Sequence, residues 1–302
     1  MMIRIQKELD CFGSKAVITI VQKRDNAQVH QIIESIIVMI EEFENHFSRF
    51  KKDSELTQFN INAGKRVKVS EEFKNLLENC VKLSRETDSA FNPFILPSLQ
   101  KAGYDKSWVN PSIRSDEFKD SDVVGIDQLK IGEDWAEIPI NTAIDLGGIG
   151  KGYMLDKISK FLNGNIENYW ISLGGDLICK GKDINGQPWN IAVADAIDDR
   201  NVIDSFESSQ NKVTAIATSS TFKRRGFKNN KSWNHIINPT TLEPIKSKIL
   251  SATVVSSSGV TSDVMAKSII INGQDFAEKI KASGTISAYL LQNNDKTIRI
   301  EK

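Results

Sequence analysis

The chain has 302 residues, of which 40% are hydrophobic, 26% charged and 8% aromatic, and its 39 basic side chains balance 39 acidic ones. These proportions are typical of a soluble globular protein and exclude a disordered or fibrous chain. Because binding to nucleic acid or anionic lipid rests on neutralising many phosphates, a net charge of zero predicts no nucleic-acid partner.

Three cysteines, Cys11, Cys80 and Cys179, are too few and too widely spaced for a disulfide framework or a zinc knuckle. They favour a reducing compartment. The first residues lack the apolar run of a secretory signal, and no segment approaches the ~18 apolar residues of a membrane span. As given, the chain is expected to be cytoplasmic without a membrane span; it would be periplasmic or exported if a leader had been trimmed.

The first half of the chain predicts one strand and two helices. Residues 16–21 are typical of a strand, and apolar side chains then recur at helical spacing from Val29 to Phe47. A second helix is predicted over residues 71–86, with Ser70 as its N-cap. All three elements are expected to be scaffold.

The second half predicts a mixture of helices and short strands. Glycines at 147–152 open a helix whose apolar side chains continue to Leu162, and two more helices are predicted near the end of the chain. The predicted strands cover residues 169–173, 189–193, 213–218, 251–256 and 287–291, and the two late helices cover 262–271 and 275–282. This order predicts an α+β fold without internal repeats.

The glycine-rich turn is the sharpest local feature. Glycines let a backbone approach a ligand closely, the helix start presents free N–H groups to an anion, and Lys151 adds a positive charge. The spacing fits neither a Walker A loop nor a GxGxxG dinucleotide motif. Phosphate binding and a purely structural strand-to-helix turn are therefore equally good interpretations.

Three other segments are weaker candidates. The Leu-Gly-Gly-Asp run that ends at Asp176 suits a β-turn as well as a ligand site. Hydroxyls from Thr218 onward, followed by basic residues 223–225, suit phosphate oxygens, although a solvated basic loop is the commoner outcome. His235 lies beside two isoleucines, which favours a buried core histidine over a catalytic one.

Asp263 lies near the start of the first of the two late helices, predicted over residues 262–271. We expect it in the first turn of a helix, where a carboxylate acts as a cap, and we expect Lys267 to pair with it as ordinary surface chemistry. A metal role would need more oxygen ligands than this one carboxylate supplies.

Taken together, these segments resemble the FAD:protein FMN transferase (ApbE) family over nearly the whole chain. The order and spacing of several blocks carry the resemblance. They are residues 12–14, 54–60, 90–93, 145–153 with Asp156, 173–176, 217–219, 235–241 and 261–263.

The resemblance implies a single ApbE-like (T-fold-like) α+β domain over residues 1–302, with mixed sheets and packed helices, which allows two intimately packed lobes. It implies an enzyme that uses Mg²⁺ and FAD, cleaves the pyrophosphate of FAD and joins FMN through a phosphoester to a Thr or Ser of a target flavoprotein, releasing AMP. Such phosphoryl transfer needs positioning and neutralisation of phosphate charge.

Site residues are implied by the same resemblance. Asp263 and the backbone carbonyl oxygen near Gly150 would hold the metal, and Lys151 with Gly152 would face the pyrophosphate. His235, in the active-site region, and Lys151 would have catalytic roles. Asn60 would lie beside the adenosine end of FAD, and Asp176 and Thr218 would line the FAD site.

Lys267 is the main departure from the family, which often has Thr one turn after the metal-ligand aspartate. An ammonium cannot ligate Mg²⁺. Either Lys267 turns away from the site, or it replaces part of the metal's charge. Two alternative functions stand beside the transferase. One is a non-catalytic FAD-binding protein, with Lys267 paired to Asp263 in a metal-free site, and the other is a Mg-dependent FAD pyrophosphatase with water as acceptor.

Overall fold

The computed structural model describes residues 1–107, 115–118, 122–228, 231–294 and 296–301. Its helices are α1 (Ala27–Phe47), α2 (Glu55–Ile61), α3 (Glu71–Glu86), α4 (Leu96–Ala102), α5 (Gly150–Leu162), α6 (Gly259–Asn272) and α7 (Gln274–Ala282). Its strands are β1 (Ile3–Cys11), β2 (Ser14–Gln22), β3 (Val67–Lys68), β4 (Lys130–Ile131), β5 (Trp135–Glu137), β6 (Tyr169–Leu173), β7 (Asp176–Lys180), β8 (Asn190–Ala194), β9 (Val202–Glu207), β10 (Thr214–Ser220), β11 (Arg225–Lys228), β12 (Lys231–Asn234), β13 (Ile237–Asn238), β14 (Glu243–Pro244), β15 (Ile249–Ser256), β16 (Ala288–Asn293) and β17 (Thr297–Glu301).

An eight-stranded sheet organises the chain, with strand order β1-β2-β6-β7-β10-β15-β16-β17. Each pairing in it is antiparallel, as are those of the smaller sheets within the described ranges. The predicted α+β class is confirmed, but these sheets are antiparallel rather than mixed.

Side chains that alternate along the strands fill two cores, one on each face of the sheet. On β16, Tyr289 and Leu291 face the helices, whereas Ala288 and Leu290 face the hairpin β8–β9. The helical face carries the larger core, against which α1, α3, α5 and α6 pack. Since α6 lies against β10 and β15 as well as α5, almost all of its surface is buried.

The predicted helices are confirmed with small changes at their ends. Helix α3 has the predicted bounds, and the Ser70 hydroxyl accepts the Phe73 N–H as an N-cap. Helix α6 begins three residues earlier than predicted, because Ser258 is its N-cap. Capping by a hydroxyl satisfies an N–H group that the helix itself cannot pair.

Two hairpin turns lie side by side at one end of the large sheet. Phe12 and Gly13 join β1 to β2 with φ values of 51° and 64°, and Gly174 and Gly175 join β6 to β7 with 62° and 94°. Such left-handed pairs match the twist of antiparallel strands. The Gly174 N–H donates to the carbonyl of Lys15 at 2.9 Å, which fixes the two turns together. The hairpin interpretation of the Leu-Gly-Gly-Asp run is confirmed.

In the part of the chain that the structure describes, no helix has the length and apolar composition needed to cross a membrane.

Candidate active site

A cavity of about 280 Å³ opens beside these two turns. It is bounded by the Phe12–Gly13 turn, the end of α1, the glycine turn before α5, and one side of α6. Its walls are largely aromatic and aliphatic, and five cationic side chains line it. These are Arg49, Lys51, Lys151, Arg224 and Lys267. An apolar cavity with a few convergent charged groups is the usual form of a small-molecule site.

The glycine turn forms one wall of the cavity. The Gly147 N–H donates to Asp145 Oδ2 at 2.9 Å, and the Gly150 N–H donates to the Leu146 carbonyl at 2.8 Å. Helix α5 then begins at Gly150 without a capping side chain from Ile149. As a result, the positive end of the α5 dipole lies at the cavity, as the phosphate-binding interpretation requires.

A buried ion pair that sequence reasoning missed holds the turn in place. Arg49 Nη1 donates to Asp145 Oδ1 at 2.6 Å, and Arg49 Nη2 donates to the Tyr104 carbonyl at 3.1 Å. The guanidinium also lies 4.4 Å from the centre of the Tyr104 ring. Arg49 and Asp145 are 96 residues apart. No local pattern could therefore have indicated the pair.

Lys151 lines the cavity and forms an ion pair with the buried carboxylate of Asp176. The other oxygen of Asp176 accepts the Thr218 N–H at 3.1 Å, and the Thr218 hydroxyl lies 2.9 Å from that of Thr253. Neither Asp176 nor Thr218 lines the cavity. Asp176 contacts Lys151, which does, and Thr218 contacts Asp176. The structure brings both to the site as supports of Lys151.

Burial lowers the pKa of Lys151 to about 8, with the positive charges of Lys267 and Arg224 adding to the effect and Asp263 opposing it. The ammonium is therefore mostly protonated at pH 7. It is held close to other cations, so an anion that enters the cavity would relieve their repulsion.

Asp263 lies behind the α5 start, and its position corrects the sequence prediction. It is the fifth residue of α6 rather than part of its first turn, and it accepts the Gly152 N–H at 3.2 Å. It therefore caps α5 and not its own helix. Lys267 pairs with Asp263 Oδ1, but this pair is buried rather than on the surface, since the two side chains are 17% and 2% exposed.

The pKa of Asp263 reflects this setting. Burial alone would raise it, but the ammonium groups of Lys267 and Lys151, together with the Gly152 N–H, hold it below its ordinary value. Asp263 is consequently ionised at neutral pH, with its charge shared between neighbouring cations.

The groups around Asp263 do not form a site for a divalent cation. One carboxylate oxygen is bound by Lys267 and the other by a backbone N–H. Within the described ranges, no three His, Cys, Asp or Glu side chains come together as a metal site. A hard cation needs several free oxygen ligands. The ammonium of Lys267, in contact with the Asp263 carboxylate, would also repel such a cation. Gly150 lines the cavity nearby but adds at most a carbonyl.

His235 is half-buried in the cavity wall, and its Nδ1 has no hydrogen-bond partner among the described residues. Burial lowers its pKa to about 3, and the nearby charges of Arg224 and Lys267 act in the same direction. The ring is therefore neutral at pH 7. It is neither a fully satisfied core histidine nor a charged residue.

The basic segment is divided between the cavity and the solvent. Arg224 turns into the cavity and donates to the Tyr104 hydroxyl at 3.0 Å, whereas Lys223 and Arg225 are exposed. Among the described residues no carboxylate lies within ion-pair distance of Arg224. Its charge is thus available to an anionic ligand.

Asn60 is buried but does not line the cavity. Its amide N–H donates to the Ile144 carbonyl and its oxygen accepts the Ile144 N–H, both at 2.9 Å. The structure therefore gives Asn60 a positioning role, because Ile144 leads directly into the glycine turn. Its implied place beside the adenosine end of FAD stays a prediction.

An uncapped helix start at a cavity lined by cations, on an α+β scaffold, is typical of a protein that binds an anionic ligand, and comparisons with known proteins then identify its family. A family model described as ApbE family matches residues 12–290. The chain belongs to this family.

The relatives agree with the family. The chain is 27% identical over 263 residues to a FAD:protein FMN transferase of Vibrio cholerae, covering 85% of this chain and 78% of the relative. It is 25% identical over 284 residues to one of Haemophilus influenzae, covering 89% and 79%.

Solved structures extend the similarity to the whole fold. The Thermotoga maritima ApbE protein superimposes with a TM-score of 0.83 at 22% identity, covering 98% of this chain and 96% of that one. The flavin transferase ApbE from Vibrio cholerae superimposes with a TM-score of 0.81 at 25% identity, covering 100% and 98%. The predicted fold and family are confirmed.

Proposed function

We propose that this chain is a FAD:protein FMN transferase, which takes FAD as substrate and attaches FMN through a phosphoester to a Thr or Ser of a target flavoprotein. The observation that carries the proposal is the convergence of Lys151, Arg224 and Lys267 on the cavity at the start of α5. Membership of the ApbE family supplies the reaction class.

The reaction is a displacement at phosphorus. The acceptor hydroxyl oxygen forms a bond to the phosphorus of the FMN half, and the bond from that phosphorus to the bridging oxygen breaks. AMP leaves with the electron pair on that oxygen, and the hydroxyl proton passes to solvent or a nearby base. Negative charge grows on the phosphate oxygens, so preplaced cations and N–H groups lower the barrier.

Lys151 and Arg224 would bind the pyrophosphate oxygens. Asp176, supported by the Thr218 N–H, holds the Lys151 ammonium at the cavity wall. Arg224 can offer two N–H groups to one phosphate, which fixes orientation as well as charge.

His235 would position the acceptor hydroxyl. With a pKa of about 3 its ring is neutral at pH 7, and its unpartnered Nδ1 can accept a hydrogen bond from that hydroxyl if the proton lies on the other nitrogen. The same low pKa makes the ring a weak proton acceptor until phosphate charge enters the site.

Mg²⁺, which the family resemblance implies as a further cofactor, enters none of these steps. Lys267 and the Gly152 N–H occupy the two oxygens of the Asp263 carboxylate, so neither oxygen is free to bind a divalent ion in this arrangement.

The test is incubation with FAD and a purified flavoprotein that carries a candidate threonine. Release of AMP together with flavin fluorescence on the acceptor band of a denaturing gel supports the transferase. AMP release without labelling of any acceptor supplied would instead mean a pyrophosphatase, and FAD binding without AMP release a non-catalytic FAD-binding protein.

Variants sharpen this test. His235→Asn is expected to lower FMN transfer by about 10²-fold. His30→Asn is the matched control, because His30 is exposed on α1 and pairs with Asp25. A transfer rate that persists in His235→Asn while the melting temperature collapses would make His235 a structural residue.

A further inference from the structure

The environment of Lys267 indicates a further role for this side chain. Its Nζ contacts Asp263 Oδ1 and lies 3.2 Å from the Asp263 carbonyl oxygen. Its side chain also lines the cavity. The ammonium is thus at the boundary between a buried carboxylate and the space that a ligand would fill.

Two other carboxylates near the cavity already have cations of their own, and Glu44 in the cavity wall accepts the Phe12 N–H at 3.1 Å. Asp176 is paired with Lys151, and Asp145 with Arg49. A divalent ion at Asp263 would have to displace Lys267 and would then lie close to Lys151 as well. At such distances, the repulsion between positive charges in a partly buried site is several-fold larger than in water.

Lys267 instead supplies a positive charge without any exchangeable ion. Its position on α6, four residues after Asp263, lets one carboxylate hold the ammonium while donor capacity remains on the cavity side. An ammonium has three N–H donors. Two are directed to Asp263, and the third, which has no partner among the described residues, can meet a phosphate oxygen.

We propose that Lys267 is a built-in cation that binds the pyrophosphate of FAD, so that this chain binds and turns over FAD without a divalent metal ion. This inference deepens the proposed function and rests on it for the identity of the substrate. It assigns to the protein's own side chain the charge that a bound cation would otherwise supply.

The first experiment measures FAD affinity by calorimetry, after treatment with EDTA and again with added Mg²⁺. The wild type is expected to bind in EDTA, with a Kd that changes less than about threefold on adding Mg²⁺. Lys267→Met removes one charged hydrogen bond to phosphate and is expected to weaken binding in EDTA about tenfold or more. Lys279→Met is the matched control, since Lys279 is exposed and pairs with Asp88.

A second variant reverses the chemistry. Lys267→Thr replaces the ammonium with a hydroxyl oxygen and frees the Asp263 carboxylate, so FAD binding should become dependent on Mg²⁺ and recover when it is added. That recovery also shows that the variant folds. If Lys267→Met does not fold, Lys267→Met combined with Asp263→Asn removes both charges and should give a folded protein with the same weak binding in EDTA.

Two results would overturn the inference. One is a wild type whose Kd for FAD falls tenfold or more when Mg²⁺ is added. The other is a Lys267→Met variant that binds FAD in EDTA as tightly as the wild type does. AMP release is measured in EDTA and with added Mg²⁺ in the same way. A rate that rises tenfold or more with Mg²⁺ would likewise contradict turnover without metal. The transferase proposal fails separately, when FAD binds without metal but no acceptor is labelled.

Discussion

Helices α5 and α6 begin next to each other, and each receives a carboxylate from its neighbour. Asp156 of α5 accepts hydrogen bonds from the Ser258 hydroxyl at 2.7 Å, the Gly259 N–H at 2.6 Å and the Val260 N–H at 3.1 Å at the start of α6. Asp263 of α6 accepts from a single backbone N–H of α5 and is otherwise held by ammonium groups. The geometry is reciprocal, but the chemistry differs.

The difference separates a structural cap from a functional one. Burial raises the pKa of Asp156, against the hydrogen bonds from Ser258, Val260 and Gly259. The pKa of Asp263 is lowered instead, because cations outweigh its burial. One carboxylate completes a helix end, whereas the other holds Lys267 at the wall of the cavity and interacts with the nearby charge of Lys151.

The crossing of the two helices gives a large expected effect. A Cβ on Gly152 would lie 2.4 Å from the Gly259 carbonyl oxygen, so Gly152→Ala must separate the helices. Backbone cannot move aside cheaply in a packed core, and we expect a loss of about 3 kcal/mol in the free energy of unfolding. Urea unfolding measures it, and FAD binding should fall with it.

Gly150→Ala is the matched control two residues earlier in the same helix. Its Cβ would meet Phe43 at 3.4 Å, an ordinary contact. Alanine also favours a helix by up to about 1 kcal/mol over glycine. Equal stability losses in the two variants would mean that the helix crossing does not depend on Gly152.

Exchanging each carboxylate for an amide compares the two caps directly. Asp263→Asn leaves the buried ammonium of Lys267 without its paired carboxylate and should cost about 3–5 kcal/mol. Asp156→Asn turns one acceptor into a donor that faces an N–H group and should cost about 1–3 kcal/mol. Chemical denaturation at pH 7 measures both. A larger loss for Asp156→Asn would remove the distinction between the caps.

The pH dependence of the same variants should run in opposite directions. Asp263, with a folded pKa below its ordinary 3.8, contributes stability that is present above that value and is lost as pH falls through the folded pKa. Asp156, with a raised folded pKa, costs stability as pH rises from 3.8 through that pKa.

As pH falls through the raised pKa of Asp156 toward 3.8, the stability difference between wild type and Asp156→Asn should therefore grow, while that for Asp263→Asn stays constant and shrinks only below 3.8. Denaturation at a series of pH values measures both differences. Parallel curves would show that the two carboxylates have the same environment.

Local patterns were enough to predict much of the fold. Apolar spacing identified α1 and α3, and Ser70 marked the start of α3, because these signals lie within a few residues of one another. The run ending at Asp176 suited a β-turn as well as a ligand site, and the turn between β6 and β7 confirms the first interpretation. Helix α2 was missed as an element, since its seven residues are too few for a clear periodicity.

The site depended on contacts that no local pattern reports. Asp263 was placed in the first turn of its own helix, whereas it caps α5, which lies 111 residues earlier in the chain. Lys267 was expected on the surface, because spacing of four residues predicts a pair but not its burial. The Arg49–Asp145 pair and the Asn60–Ile144 contact are tertiary in the same way.

The smallest expected effect lies at the structural cap. The Ser258 hydroxyl accepts the Thr261 N–H at 3.2 Å and donates to Asp156 at 2.7 Å, so Ser258→Ala removes the N-cap of α6 and one of the donors to Asp156. Loss of such a cap costs about 1 kcal/mol. The Gly259 and Val260 N–H groups still bind Asp156 and hold the crossing.

Ser258→Ala should accordingly lower the melting temperature by a few degrees, while FAD affinity remains that of the wild type, since no group that faces the cavity changes. Thermal unfolding and calorimetric titration with FAD measure the two quantities. A loss of FAD affinity in this variant would show that the start of α6 transmits its state to Asp263, one turn further along the helix, and that the two caps act as one unit.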